Sequence, residues 1–155
     1  MLIGLISDTH GLLRPSVHVA FAGVALILHA GDVGGDEILD ELGLIAPVLA
    51  VFGNTDRQDD PRLCQSIERQ IGGVRVHVSH GHEVGSPTPA RLLESYAADV
   101  IVYGHTHRAL VSQAAGRLVV NPGAAGAQRF KLSPSVGRLS IVDGRADVEI
   151  VPLDS

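Results

Sequence analysis

Leu2-Ile3-Gly4-Leu5-Ile6-Ser7-Asp8-Thr9-His10 opens the chain with a short apolar run that stops at a small residue and then delivers an acid and an imidazole two positions apart. An uninterrupted run of this length reads as a strand, Leu2–Ser7, buried on both faces. Four later apolar runs end the same way. Ala25–His29 runs into Gly31-Asp32, Val48–Phe52 into Gly53-Asn54, Val74–Ser79 into His80-Gly81-His82, and Val100–Tyr103 into Gly104-His105-Thr106-His107.

The segments between these runs have helical character. A helix is expected from Arg14, with Pro15 at its first turn and Val17, Ala20, Phe21 and Val24 on one face. A second covers Asp36–Leu42, with acids in its first turn, Ile38, Leu39 and Leu42 inward, and Gly43 as its stop. The beginning is therefore β-α-β-α-β, which implies parallel strands joined by right-handed crossovers. After a polar loop, Asn54–Arg62, the pair Gly72-Gly73 marks a hairpin between Ser66–Ile71 and Val74–Ser79. Thr88-Pro89 starts a third helix whose apolar face is Leu92, Leu93, Tyr96 and Ala97. The C-terminal third reads as antiparallel strands at Leu110–Gln113, Leu118–Val120, Leu139–Val142 and Ala146–Val151, the last two joined at Asp143-Gly144. The expectation is one mixed α/β domain over residues 1–155, with two packed sheets and helices outside.

Ligands of open α/β sheets bind at the carboxyl ends of the strands. If the five strands are neighbours, their ends gather two Asp, one Asn and four His: Asp8, His10, Asp32, Asn54, His80, His105 and His107. In an extended chain, residues i and i+2 point to one side, so Asp8 with His10 and His105 with His107 each send two donors to one place. One Asp-x-His alone could be a turn, or a histidine satisfied by a backbone carbonyl. Five such groups together would be costly to bury unless something pairs with them. Nitrogen and oxygen donors without sulfur suit first-row divalent ions such as Mn, Fe, Co, Ni or Zn. Eight coordination roles on seven side chains imply two ions and one bridging carboxylate. Asp32, alone at its strand end, is the expected bridge.

Composition narrows the partners. Hydrophobic residues are 45% of the 155 and charged residues 19%, which excludes a disordered chain. Aromatics are 3%, too few for base-stacking platforms. A net charge of −5 without a Lys/Arg run argues against duplex nucleic acid. The N-terminal run lacks a positive lead and reaches Asp8 too early for a signal peptide, and Val17–Gly31, with two histidines, is too short for a membrane span. Cys64, the single cysteine, allows no internal disulfide and suits a reducing cytoplasm. Oligomeric state is left open.

These blocks resemble the calcineurin-like metallophosphoesterases, whose pattern runs Asp-x-His, Gly-Asp, Gly-Asn-(His/Cys)-(Asp/Glu), His, then Gly-His-x-His. Here it stands as Asp8-Thr9-His10, Gly31-Asp32, Gly53-Asn54-Thr55-Asp56, His80 and Gly104-His105-Thr106-His107, with Asn121-Pro122-Gly123-Ala124 near a segment that ends Asn-Pro-Gly-Ser in relatives. The likeness covers Leu2 to about Gly126 and is closest to the small microbial phosphodiesterase branch. It implies a four-layer α-β-β-α sandwich of two mixed β-sheets flanked by helices. It also implies that Asp8, His10, Asp32 and His107 hold one metal, and Asp32, Asn54, His80 and His105 the other.

The implied activity is hydrolysis of a small phosphate ester, a diester or a monoester, by a hydroxide bridging the two ions. Two divalent ions with Asp8 and Asp32 leave the site locally positive in an acidic protein. Asp32 and Asn54 are the expected catalytic ligands. Thr55 departs from the His that larger relatives carry after Gly-Asn and is a poor proton donor. His82 is the nearest spare imidazole for the leaving group. Asp56 is expected to orient Asn54 or a ligand histidine, or to cap a turn. Arg14 is expected to be solvated at a helix start. His18, His29 and His77 read as structural or surface residues. The competing readings are a non-catalytic scaffold on the same fold and a metal-binding module.

Overall fold

The computed structural model describes residues 1–129 and 131–153. Its elements run β1 (Leu2–Ile6), α1 (Ser16–Ala20), β2 (Leu26–His29), α2 (Asp36–Gly43), β3 (Val48–Val51), β4 (Leu63–Cys64), β5 (Ile67–Ile71), β6 (Val74–Val78), α3 (Pro89–Ser95), β7 (Val100–Val102), β8 (Leu110–Ala114), β9 (Arg117–Asn121), β10 (Ser135–Val142) and β11 (Arg145–Pro152). A single 3-10 turn lies over His82–Val84.

The strands form two mixed sheets. The first has the order β11-β10-β1-β2-β3-β4 and the second β5-β6-β7-β9-β8. In the first, β1 through β4 are parallel, and β10 returns antiparallel to β1. In the second, β6, β7 and β9 are parallel. Ile3 and Leu5 of β1 alternate with Gly4 and Ile6, so one set enters the layer between the sheets and the other faces the helices. Between the sheets Ile3, Leu5, Leu28 and Val51 meet Val74, Val76, Val78, Val102 and Val120. On the outer face of the first sheet Ile6 and Ile27 pack with Val17, Phe21, Leu39 and Leu42 of the α1–α2 layer. On the outer face of the second, Ile101, Tyr103 and Val119 pack with Leu92 of α3. The result is the expected α-β-β-α layering. Gly4 is required inside β1 because a Cβ there would lie 2.9 Å from the Phe21 ring.

Both hairpin turns read from sequence are present, with φ of 56° and 82° at Gly72-Gly73 and 52° and 74° at Asp143-Gly144, the primed geometry that matches strand twist. Thr88 caps α3 by accepting the Arg91 N–H.

Several expectations are corrected. The first helix stops at Ala20, where the Arg138 guanidinium takes the carbonyls of Ala20 and Ala22; Phe21 and Val24 reach the core from the turn beyond it. Gly43 belongs to α2, and the cap is Leu44. Ala97 is exposed, and the neighbouring Ala98 is buried in its place. β4 was invisible in sequence because one leucine in a polar loop has no periodicity. β10 begins at Ser135, four residues before Leu139. β9 runs parallel to β7, since Asp99 to Val102 and Leu118 to Val120 enter the sheet from the same end.

Candidate metal centre

The carboxyl ends of β1, β2 and β3 lie beside those of β6 and β7, and the loops that follow keep pairing. Asp8 N donates to Gly31 O, His10 N to Asp32 O and Gly104 N to His80 O, at 2.9–3.0 Å. His105 N crosses between the sheets to Asp8 Oδ2, 3.1 Å away. Close approach explains the glycine that precedes three of the donors. A Cβ on Gly53 would fall 2.0 Å from Asp32 Oδ1, and one on Gly104 would fall 2.0 Å from Ser7 Oγ. Asp8, His10, Asp32, His105 and His107 all have left-handed φ, between 47° and 73°. Among the described residues only Ala115 and Asp143, both in hairpin turns, share that conformation without being glycine. Backbone strain of about 1–3 kcal/mol per residue is thus concentrated where the donors converge.

Each carboxylate divides its oxygens. Asp8 Oδ2 accepts from Ser7 Oγ at 2.7 Å and from His105 N, leaving Oδ1 toward the histidines. Asp32 Oδ1 accepts from Thr55 N at 3.0 Å and Thr55 Oγ1 at 2.8 Å, leaving Oδ2 toward them. Asp8 Oδ1 lies 3.3 Å from His107 Nε2, 3.7 Å from His10 Nε2 and 3.8 Å from His80 Nε2. Asp32 Oδ2 lies 3.2 Å from His80 Nε2 and 3.5 Å from His10 Nε2. His105 Nδ1 and Asn54 Oδ1 are 3.1 Å apart.

The protein leaves these atoms unpaired. Asp8 Oδ1, His10 Nε2 and His80 Nε2 are buried and have no hydrogen-bond partner. His80 Nδ1 gives its hydrogen to the Ala30 carbonyl at 2.8 Å, so a neutral ring turns a bare lone pair toward two carboxylates. Only a proton or a cation satisfies such a meeting of acceptors. The spacing fits a cation: donors held about 2.1 Å from one ion stand about 3.0 Å apart at octahedral and about 3.4 Å at tetrahedral angles. Among the described residues two groups of Asp and His are close enough to share an ion, Asp8–His10–His107 and Asp8–Asp32–His80, with Asp8 common to both. Asn54 and His105 form a third pair beside them, the His105 ring 5.2 Å from that of His80.

The electrostatics keep both carboxylates ionised. Burial pushes the Asp8 and Asp32 carboxyls up, but the surrounding histidines and hydroxyl donors more than offset it, so Asp8 stays ionised well below the usual range and Asp32 down to about 2. Burial pulls His80 down, yet the two carboxylates beside it raise it above the ordinary histidine value. Burial and the nearby His80 lower His105.

All seven expected donors are therefore brought to one strand-end cluster. His82 borders it, its ring 5.4 Å from that of His80 and 6.2 Å from that of His105. Asp56 does not orient Asn54. Its carboxylate accepts from Val33 N at 3.0 Å, Gly34 N at 3.2 Å and Gly53 N at 2.9 Å, binding the Asp32 loop to the Asn54 loop. Arg14 Nε donates to the Gly126 carbonyl. His18 is on the surface, 3.9 Å from Glu41.

Four supporting residues take contacts that the sequence reading did not specify. Ser7 and Thr55 hold the outer carboxylate oxygens. Asn121 Nδ2 donates to Gly104 O and Thr106 Oγ1, fixing the loop between the last two histidines. His29 is fully buried: Gly31 N donates to its Nδ1, and its Nε2 lies 3.0 Å from Thr9 Oγ1, which itself donates to Val33 O. The ring must then be the neutral Nε2–H form, bracing Thr9 between Asp8 and His10. His77 is also buried, between Glu68 and Ser79 and stacked on Tyr96.

A pair of sheets whose parallel strands deliver aspartates, histidines and an asparagine to one edge defines a metallophosphoesterase-type centre. Residues 1–144 match the calcineurin-like phosphoesterase superfamily domain, and the chain belongs to that superfamily. It is 39% identical over 159 residues, 97% of this chain and 92% of the other, to a probable metallophosphoesterase of Methanothermobacter thermautotrophicus. It is 28% identical to a phosphodiesterase of Methanocaldococcus jannaschii, covering 79% of this chain and 83% of that one. The fold is also that of Vps29 from Entamoeba histolytica, solved with zinc, at TM-score 0.79 and 26% identity over 99% of this chain and 100% of that one. No helix of the described residues is long and apolar enough to cross a membrane.

Proposed function

We propose that the chain is a cytoplasmic hydrolase of small phosphodiesters, with Asp8, His10, Asp32 and His107 holding one divalent cation and Asp32, Asn54, His80 and His105 a second. The observation that carries this reading is the pair Asp8 Oδ1 and His80 Nε2, buried, unpaired and 3.8 Å apart, with Asp32 Oδ2 3.2 Å from the same His80 nitrogen. Held by these residues, such cations, with Mn the first choice, would supply water activation at neutral pH and positive charge for the phosphate oxygens.

The chain's own residues then set the geometry. Asp32 Oδ2 and Asp8 Oδ1 each face His10 of one proposed ligand set and His80 of the other, and the bridge is assigned here to Asp32. His80 is held by Ala30, His105 by Asn54, and Asp8 by Ser7 and the His105 N–H. Neither Ser7 nor Thr55 is placed as a nucleophile, because both spend their hydrogens on carboxylates. Thr55 for the same reason gives no proton to a leaving group, which leaves that task to His82 or to solvent.

The test is hydrolysis of bis(p-nitrophenyl) phosphate and p-nitrophenyl phosphate by the Mn-loaded chain and by Asp32→Ala. Turnover of the diester that disappears in the variant supports the reading. Metal uptake without turnover leaves a binding module, and neither uptake nor turnover leaves a scaffold on the same fold.

A further inference from the structure

We propose that Thr55 is a positioning residue that assigns the two oxygens of Asp32 to different tasks, one to the protein and one to the metals. The inference rests on the reading of Asp32 as a metal ligand. Both donors of this one residue, its N–H at 3.0 Å and its hydroxyl at 2.8 Å, converge on Oδ1. Oδ2 alone is left facing His80 and His10. Asp32 is 3% exposed, so water does not replace a lost donor.

Thr55 reaches Oδ1 from a braced loop. Asp56 collects N–H groups from Val33 and Gly34 on the Asp32 side and from Gly53 on the Thr55 side. The two loops are thereby joined, and Thr55 and Asp32 hold their relative position. Gly53 leaves Oδ1 room, since its missing Cβ would stand 2.0 Å away.

A carboxylate with one uncommitted oxygen can turn about its Cβ–Cγ bond and grip a single cation with both oxygens. Two charge-assisted bonds to Oδ1 oppose that rotation and keep Oδ2 between the two donor sets. At this position the family pattern has His or Cys, which carries no short hydroxyl beside its own N–H. This chain uses the position to orient its bridging carboxylate.

The experiment titrates Mn into the chelator-stripped full chain by calorimetry, for wild type, Thr55→Val, Thr55→Ser and Asp32→Ala. Thr55→Val should weaken Mn binding about 10- to 100-fold, while Thr55→Ser stays within about threefold of wild type. The metal-free unfolding midpoint should be alike in wild type and Thr55→Ser and lower only in Thr55→Val, which leaves Asp32 Oδ1 one donor short. Wild-type affinity in Thr55→Val, or a Thr55→Ser variant as weak as Thr55→Val, overturns the proposal. So does a metal-free midpoint that drops in both Thr55 variants, which marks a role in folding instead. If Asp32→Ala binds Mn as wild type does, the metal reading itself fails and takes this one with it. Wild-type affinity in Thr55→Val beside an impaired Asp32→Ala removes only the Thr55 claim.

Discussion

His80 Nε2 stands 3.2 Å from Asp32 Oδ2, buried, with no hydrogen bond between them, while the other ring nitrogen is committed to the Ala30 carbonyl. The pair is complementary to a cation. Metal at about one hundred times its dissociation constant should stabilise the fold by about 2.7 kcal/mol. In a chain of this size that raises the unfolding midpoint by roughly 5–10 °C. Thermal unfolding with Mn and with chelator measures the difference, and Asp32→Ala should lose most of it. Equal midpoints in wild type would speak against a built-in metal site.

His82 is the only imidazole at the site's border left outside the two proposed ligand sets. As the leaving-group acid it matters only where the leaving oxygen is basic. His82→Ala should therefore slow an alkyl diester about 100-fold and leave a nitrophenyl diester nearly unchanged. Steady-state rates on the two esters give the ratio, and an equal loss on both would remove His82 from proton transfer.

His29 gives a pH signature. Burial is the dominant influence and lowers its pKa from 6.5 to about 4, although Asp8, Asp56 and Asp32 oppose the shift. The unfolded chain therefore binds a proton in this window that the folded chain refuses. The neutral ring's contribution is whole above pH 6.5 and is lost as pH falls toward 4, by roughly 3 kcal/mol in total. Urea unfolding of the metal-free chain at pH 7 and pH 4.5 should show the loss in wild type and a smaller one in His29→Gln. Parallel losses would show that another group carries the acid sensitivity.

Gly53 and Gly43 should respond in opposite ways to alanine. At Gly53 the new Cβ meets Asp32 Oδ1 at 2.0 Å and Asp32 N at 2.4 Å, so the carboxylate must move. A displacement near 1 Å costs about 100-fold in rate. At Gly43, at the end of α2, nothing lies within 4 Å, and alanine should add about 0.4–1 kcal/mol of stability. Diester turnover and chemical unfolding of the two variants test the contrast, which fails if Gly53→Ala retains full activity.

Much of this could be read along the chain because it is local. Period-two and period-3.6 patterns, Thr88-Pro89 at a helix start, Gly72-Gly73 and Asp143-Gly144 at hairpins, and a small residue followed by a donor at each strand end are written within a few neighbours. Where local patterns compete with distant contacts, the distant contacts decide. The helix before Phe21 ends at Ala20, whose carbonyl, with that of Ala22, accepts from Arg138 more than a hundred residues on. β4 exists only because β3 offers an edge to Leu63-Cys64.

The sequence alone determined which residue types reach the strand ends, and so the donor chemistry: two carboxylates, one amide and four imidazoles without sulfur. Tertiary structure alone decided how those donors are held. Asp32 and Thr55 are 23 residues apart, Asp8 and His105 97, and His80 and Ala30 50. Which oxygen faces inward, which ring nitrogen is bare and which hydroxyl is spent depend on hydrogen bonds between loops from different strands. Such bonds are directional and short-ranged, and they exist only after the sheets have packed and brought those loops within about 3 Å of one another.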